Sequence, residues 1–261
     1  MRLASALNLR GFLVEIWCYG GATALDDELR AQGVVVRNGC AGSQWAKVKM
    51  IRAWAAAFKP DLMHGFMKRA SSLAVLARGF SRRPIVIGSD LSTATYGKRD
   101  FTLWSSLVLF AFAQRISTQT ELNRQSLHRL APWLRGKTSV IRNGLDLRDF
   151  VPADDFPPEA PFRFVSVGTV YAIKNPLRMV EAVALLVERG CRNFVLDWYG
   201  RLGLAGDDQP SECYMQCMQK VKELGLEPYV CFHGECAQIS EAYRSAHGLI
   251  HPSGQEGFPN A

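Results

Sequence analysis

Residues 162–176 read F-R-F-V-S-V-G-T-V-Y-A-I-K-N-P. Phe162–Val167 is short, apolar and β-branched enough for a strand, and Lys174-Asn175-Pro176 opens a helix that runs to Arg189. Gly168 stands at the junction, where a missing side chain lets a ligand approach the backbone. A helix N-terminus at the carboxyl edge of a strand presents bare N–H groups and the positive end of a dipole, and Lys174 adds a full charge. The arrangement suits a diphosphate. A plain strand-to-helix junction with a lysine reads the same way, so this stretch decides the fold class before it decides any chemistry.

Outward from it the alternation continues. Downstream come strand Asn193–Tyr199, helix Ser211–Leu224, strand Tyr229–Phe232, helix Ala237–Ser245 and strand Gly248–His251. Upstream, residues 151–161 (V-P-A-D-D-F-P-P-E-A-P) are too rich in proline and acid for a packed element and read as a linker. Before the linker lies an earlier series. Its strands are Phe12–Cys18, Val34–Val36, Leu62–His64, Pro84–Ile87, Arg115–Thr118 and Thr138–Ile141. Its helices are Arg2–Arg10, Trp45–Phe58, Ser71–Phe80, Leu103–Ala113 and Glu121–Leu130. Short apolar strands separated by helices of similar length predict βαβ units around parallel sheets. The expectation is α/β, with two Rossmann-like doubly wound domains, 1–150 and 162–261, facing each other across a cleft. The first series opens on a helix and the second stops where another helix is due. The sequence therefore reads as lacking its first strand and its closing helices.

Charge divides along the same boundary. Residues 1–150 carry 22 Lys and Arg against 10 Asp and Glu, a surplus of 12, while residues 151–261 carry 9 against 14, a deficit of 5. A basic half suits an anionic membrane surface or an anionic lipid-linked substrate, or is simply a solvated basic surface. No basic-aromatic motif points to nucleic acid. Leu103–Ala113, the most apolar run, is about half the length a bilayer demands and reads as a buried or interfacial helix. Seven cysteines without framework spacing read as reduced thiols of a cytoplasmic protein. Cys213, Cys217, Cys231, His233 and Cys236 cluster in sequence without a C-x-x-C pair and read as unligated.

Residues 252–260, P-S-G-Q-E-G-F-P-N, follow the last strand and again fall at a sheet's carboxyl edge. Gly257 and Pro259 flank Phe258, and Asn260 can cap a following helix. Glu256 is an acceptor suited to sugar hydroxyls. This density of glycine, proline and acid exceeds what a plain turn requires.

That string, with His251-Pro252 before it, resembles the donor-site motif of glycosyltransferase family 4, in which P-S-x-x-E-G-F opens a pair of glutamates. Two further stretches agree in order and spacing: V-I-R-N-G-L-D-L-R-D-F (140–150), similar to the family's asparagine-glycine-x-aspartate segment, and residues 164–176, similar to its glycine-x5-lysine phosphate loop. The resemblance covers nearly the whole chain. It implies the GT-B fold, with an acceptor-side domain over 1–150 and a donor-binding domain over 162–261. It also implies a retaining transfer from a nucleotide-diphosphate sugar, with no metal and no other cofactor. Lys174 would stabilise the departing diphosphate and Glu256 would hold donor hydroxyls, with Gly168, Thr169, Gly257, Phe258, Pro259 and Asn260 around them. The residue after the loop glycine is often arginine in that family. Here it is Thr169, which leaves Arg201 to replace the charge. Asp207-Asp208 lies in a loop and does not read as a metal dyad.

In the first series His64 ends a strand, and the family often has a histidine there near the donor sugar and acceptor. Ser89-Asp90 and Ser117-Thr118-Gln119 end neighbouring strands and read either as helix caps or as lining for the acceptor site. Bacterial relatives commonly build surface polysaccharides on lipid-linked or saccharide acceptors at the inner membrane face. Two other functions share the architecture: a non-catalytic membrane-binding chain and a nucleotide-sugar epimerase.

Overall fold

The computed structural model describes residues 2–20, 24–39, 42–91, 101–145, 148, 150–152, 161–203, 209–254 and 256. The chain divides into two units, Met1–Arg142 and Asn143–Ala261. Most of the stretch read as a linker, residues 153–160, lies outside the described residues.

The first unit runs α1 (Arg2–Leu9), β1 (Glu15–Cys18), α2 (Ala24–Ala31), β2 (Val35–Asn38), α3 (Gln44–Phe58), β3 (Leu62–Gly65) and α4 (Met67–Arg78). It continues through β4 (Ile85–Asp90), α5 (Phe101–Phe110), β5 (Arg115–Thr118), α6 (Glu121–Leu130) and β6 (Thr138–Val140). β3-β4-β5-β6 form one sheet and β1-β2 another, every pair parallel. Local chemistry sets the helix ends. Ser43 caps α3 by accepting from the Ala46 N–H, and Thr120 caps α6 by accepting from Asn123. Val86, Leu107, Phe110, Ile116, Leu127 and Leu134 are buried together as the core. α5 is apolar on two sides: Leu107 and Phe110 point into that core, while Phe101, Val108 and, just past its end, Phe112 are exposed.

Helix α2 has no counterpart in the sequence reading. Its A-L-D-D-E-L-R-A is dominated by charge, and one of those charges is buried: Asp26 accepts a 2.5 Å hydrogen bond from the Asn38 side chain at the end of β2. Its buried side chains among those described are Asp26 and Leu29, and a helix that packs partly through an acid escapes a search for apolar periodicity.

The second unit runs β7 (Phe162–Val167), α7 (Pro176–Glu188), β8 (Phe194–Tyr199), α8 (Glu212–Glu223), β9 (Val230–Gly234), α9 (Ile239–Arg244) and β10 (Gly248–Leu249). All neighbours are parallel in the order β10-β7-β8-β9, so the chain steps outward from β7 through α7 and α8 and then crosses back to its other side. Val180, Val183, Leu196, Trp198, Cys217 and Val221 fill the core. α7 starts at Pro176, as the sequence reads, and the lead-in through Lys174 has a structure of its own. Lys174 closes a separate 3₁₀ turn, Ala172–Lys174, and Asn175 in the left-handed region (φ 53°) swings the chain into α7 with Pro176 at its first turn.

Candidate functional site

In the second unit, two loops leave the carboxyl ends of the neighbouring strands β7 and β10, and three contacts tie them together. The Asn175 side-chain amide donates to the Pro252 carbonyl at 2.8 Å, and the Gly254 N–H donates to the Ile173 carbonyl at 2.9 Å. The third is an ion pair between the Lys174 ammonium and the Glu256 carboxylate. Glu256 also accepts from the Ser253 hydroxyl at 2.6 Å and faces His251 Nε2 at 3.2 Å. Burial pushes the Glu256 carboxyl up, but the Lys174 and Ser253 hydrogen bonds and the charges of Lys174 and His251 outweigh it. The group is held below the ordinary carboxylate value.

The first of these loops is anchored from behind. Trp198 Nε1 donates to the Gly168 carbonyl at 2.8 Å and the Ser211 hydroxyl donates to the Val170 carbonyl at 2.7 Å. At Gly200 a Cβ would meet the Gly168 carbonyl oxygen at 2.2 Å, so only glycine lets the end of β8 pass so close to this loop. At Gly168 a side chain would fall on the aliphatic stem of Lys174.

Of the donor residues expected from sequence, Gly168, Thr169, Lys174 and Glu256 therefore share one place, while Gly257, Phe258, Pro259 and Asn260, like Asp207 and Asp208, lie outside the described residues. Arg201 lies beside the loop, its carbonyl accepting from the Val170 N–H, but its guanidinium Nε pairs with Glu235 at 2.7 Å on the surface. Asn175, His251 and Ser253 carry the geometry and were not assigned roles from sequence. All three lie inside the quoted motifs. His251 and Ser253 both face Glu256 within the same short loop, whereas Asn175 reaches the Pro252 carbonyl across 77 residues of chain, which no local pattern reveals.

In the first unit, His64 on β3, Ser89 on β4 and Ser117 on β5 form a chain across adjacent strands. His64 Nε2 to Ser89 Oγ is 2.6 Å, and Ser89 Oγ to Ser117 Oγ is 2.6 Å. Neither serine caps a helix; α6 is capped by Thr120 instead. The Ser89 N–H donates to Ser71 Oγ at 3.1 Å, and that hydroxyl donates to the Gly65 carbonyl at 2.8 Å, locking the strand ends to α4. Phe66 lies against the His64 ring, with centroids 4.3 Å apart. Burial alone pushes the imidazole below its ordinary value, so it is neutral at pH 7. Asp90, also buried, pairs with Lys68 at 3.5 Å.

Two α/β units, each with parallel sheets, are the elements of the GT-B fold, and the solved structures agree. The chain superposes on sucrose-phosphate synthase from Thermosynechococcus elongatus (TM-score 0.81, 18% identity, 99% of this chain and 70% of that one). It also superposes on HepE from Anabaena in complex with UDP-glucose (0.77, 17%, 96% and 68%). A glycosyltransferase from Rickettsia africae ESF-5 gives 0.76, with 16% identity over 96% of this chain and 67% of that one. The chain thus spans about two thirds of the length of the structures it resembles. Residues 1–144 match the family described as the glycosyl transferase 4-like domain, and residues 161–261 match glycosyl transferases group 1. The chain belongs to this glycosyltransferase family. No curated protein sequence matches it.

Proposed function

We propose that this protein is a retaining, metal-independent hexosyltransferase that moves a sugar from a nucleotide-diphosphate sugar to a lipid-linked or polysaccharide acceptor in bacterial surface polysaccharide synthesis. The observation that carries the reading is the meeting of Lys174 and Glu256. A part-buried ammonium and carboxylate neutralise each other until a ligand with complementary ends replaces the contact. A donor sugar has those ends: its diphosphate takes the ammonium and its hydroxyls take the carboxylate. Lys174 then offsets the negative charge that grows on the leaving diphosphate as the glycosidic bond breaks, which is the charge a metal would otherwise carry. Gly168, Thr169, the backbone of Gly257, Phe258 and Pro259, and Asn260 line the donor in this reading. The neutral His64 offers a hydrogen bond to a sugar or acceptor hydroxyl. HepE, solved with UDP-glucose, supports a nucleotide-sugar donor. The WaaG structure, from a glycosyltransferase involved in lipopolysaccharide biosynthesis, supports a surface-glycan acceptor.

The acceptor side is read from charge and exposed apolar surface. Among the described residues no helix is long and apolar enough to cross a membrane. The first 150 residues carry their surplus of 12 positive charges, and α5 exposes Phe101, Val108 and, beside it, Phe112. Together these support peripheral attachment to the inner face of an anionic membrane.

The test is transfer and donor hydrolysis with a panel of UDP-, GDP- and ADP-hexoses, with and without a chelator, reading the anomer of the product. One donor class should be used, its anomeric configuration kept, and the chelator should change nothing. Inertness toward every donor, or inversion, overturns the reading.

A further inference from the structure

A second polar constellation lies in the same unit, built from different residues. Along β8, Leu196 and Trp198 are buried in the core, so by strand alternation Asp197 and Tyr199 face the other side of the sheet. The register pairs Asp197 with Cys231 on β9, and His233, two residues on, shares that face. Asp197 is 3% exposed, and its two oxygens have different partners: Oδ2 is paired with Arg163 from β7, and Oδ1 faces His233 Nε2 at 2.6 Å. The Tyr199 ring stacks on the His233 ring at 4.5 Å and 12°. The imidazole is therefore held at one edge and across one face.

A histidine that gives its Nε2 proton to a carboxylate keeps its lone pair on Nδ1. Here Nδ1 stands 3.8 Å from Cys231 Sγ. Zinc–sulfur and zinc–nitrogen bonds in a tetrahedral site place the two ligand atoms about 3.6 Å apart. The carboxylate behind the histidine is the usual outer partner of a metal-bound imidazole. We propose that Cys231 Sγ and His233 Nδ1 form a binding site for a borderline transition-metal ion of the Zn²⁺ class, with Asp197 as the positioning residue behind His233. Water completes the coordination, and the thiol proton leaves to solvent as the ion binds. Asp197 orients and does not ligate, because Arg163 already holds its other oxygen. Its oxygen, the Cys231 sulfur and a His233 nitrogen all lie within 4.8 Å of one another.

Cys213 and Cys217, read beside this pair in sequence, do not share its place. They lie on α8, where Cys217 is packed in the core and burial pushes its thiol up to about 12.

The probe is Co²⁺ titrated into the full chain, a spectroscopic stand-in for Zn²⁺. A thiolate-to-cobalt charge-transfer band should grow to one ion per chain and be displaced by Zn²⁺. Cys231→Ser should abolish the band and Cys236→Ser should leave it. Asp197→Asn should keep the band but weaken affinity about 10- to 100-fold. If circular dichroism finds that variant unfolded, Tyr199→Ala, which removes only the ring stack, should weaken affinity in the same direction. A wild-type protein without the band, or a band that survives Cys231→Ser, overturns the site. Unchanged affinity in a folded Asp197→Asn protein overturns the role of the carboxylate.

Discussion

The carboxyl edges of the two sheets are built in opposite ways. In the first unit the polar groups sit on the strands themselves: His64, Ser89 and Ser117 occupy neighbouring strands, are neutral, and are joined by two 2.6 Å hydrogen bonds within a buried sheet. In the second unit the groups sit in loops beyond the strands, carry opposite charges, and keep about a quarter of their side-chain surface exposed. A strand-borne hydroxyl chain fixes one orientation before any ligand arrives. A loop-borne ion pair must be broken by the ligand that replaces it. In the proposed function the first edge positions and the second binds the charged leaving group.

Substitutions at the charged edge should have the largest effect. Lys174→Ala should reduce transfer by about 10²- to 10³-fold or more, the loss typical of one electrostatic donor in a low-dielectric site. Thermal stability should change little, because Asn175 and Gly254 still tie the loops. Wild-type rates in this variant would remove the diphosphate role. Glu256→Ala should come next: binding of the intact donor should fall by about tenfold or more, as for a lost charged hydrogen bond. Binding of the free nucleotide diphosphate should change less, since only the sugar meets the carboxylate. Equal losses for the two ligands would assign Glu256 to the phosphates or to folding.

The same contrast governs what the sequence could disclose. Strands Arg115–Thr118 and Phe162–Val167 and helix Glu121–Leu130 fall where apolar pattern and caps put them, because those signals are local. Lys174 and Glu256 were legible as a pair through two motifs, each contiguous in sequence. The join between Ser89, Ser117 and His64 was not, because three strands contribute one residue each and the register that aligns them is a property of the sheet. Serine at a strand end favours a capping reading on local grounds. The same holds for Asp197, an acid inside F-V-L-D-W-Y that looks like an interruption of a strand until Arg163 and His233 are seen on either side of it.

At the neutral edge the effects should be smaller and of another kind. Ser89→Ala deletes the partner of His64 Nε2 and the link to Ser117, leaving the ring free to turn. Turnover should drop by several-fold, the roughly 5-fold that loss of one neutral hydrogen bond of about 1 kcal/mol allows. The KM for the donor should stay nearly constant. The imidazole titration followed by NMR should move, and Ser89→Thr, which restores a hydroxyl, should recover both. A fall in donor affinity equal to that of Glu256→Ala would make this edge part of the donor grip and dissolve the contrast.

The mildest test separates the edges by acid. Burial lowers the His64 value, and the Lys174 and Ser253 contacts outweigh burial to lower that of Glu256. In both cases the unfolded chain binds protons at a higher pH than the folded one, so stability rises with pH across each window. For His64 the loss begins as pH falls below the ordinary imidazole value of 6.5 and continues toward the lowered folded value. His128 in the same unit, also lowered chiefly by burial, acts in the same direction. The contribution of Glu256 is intact above the ordinary 4.5 and is lost only as pH falls through its lowered folded value. Hydrogen exchange between pH 7 and about 5 should therefore show the first unit losing protection through His64 and His128, while the Glu256 contribution in the second unit is still intact. His64→Asn should flatten part of that slope. Equal loss in both units over this range would mean that a group other than His64 governs the acid response.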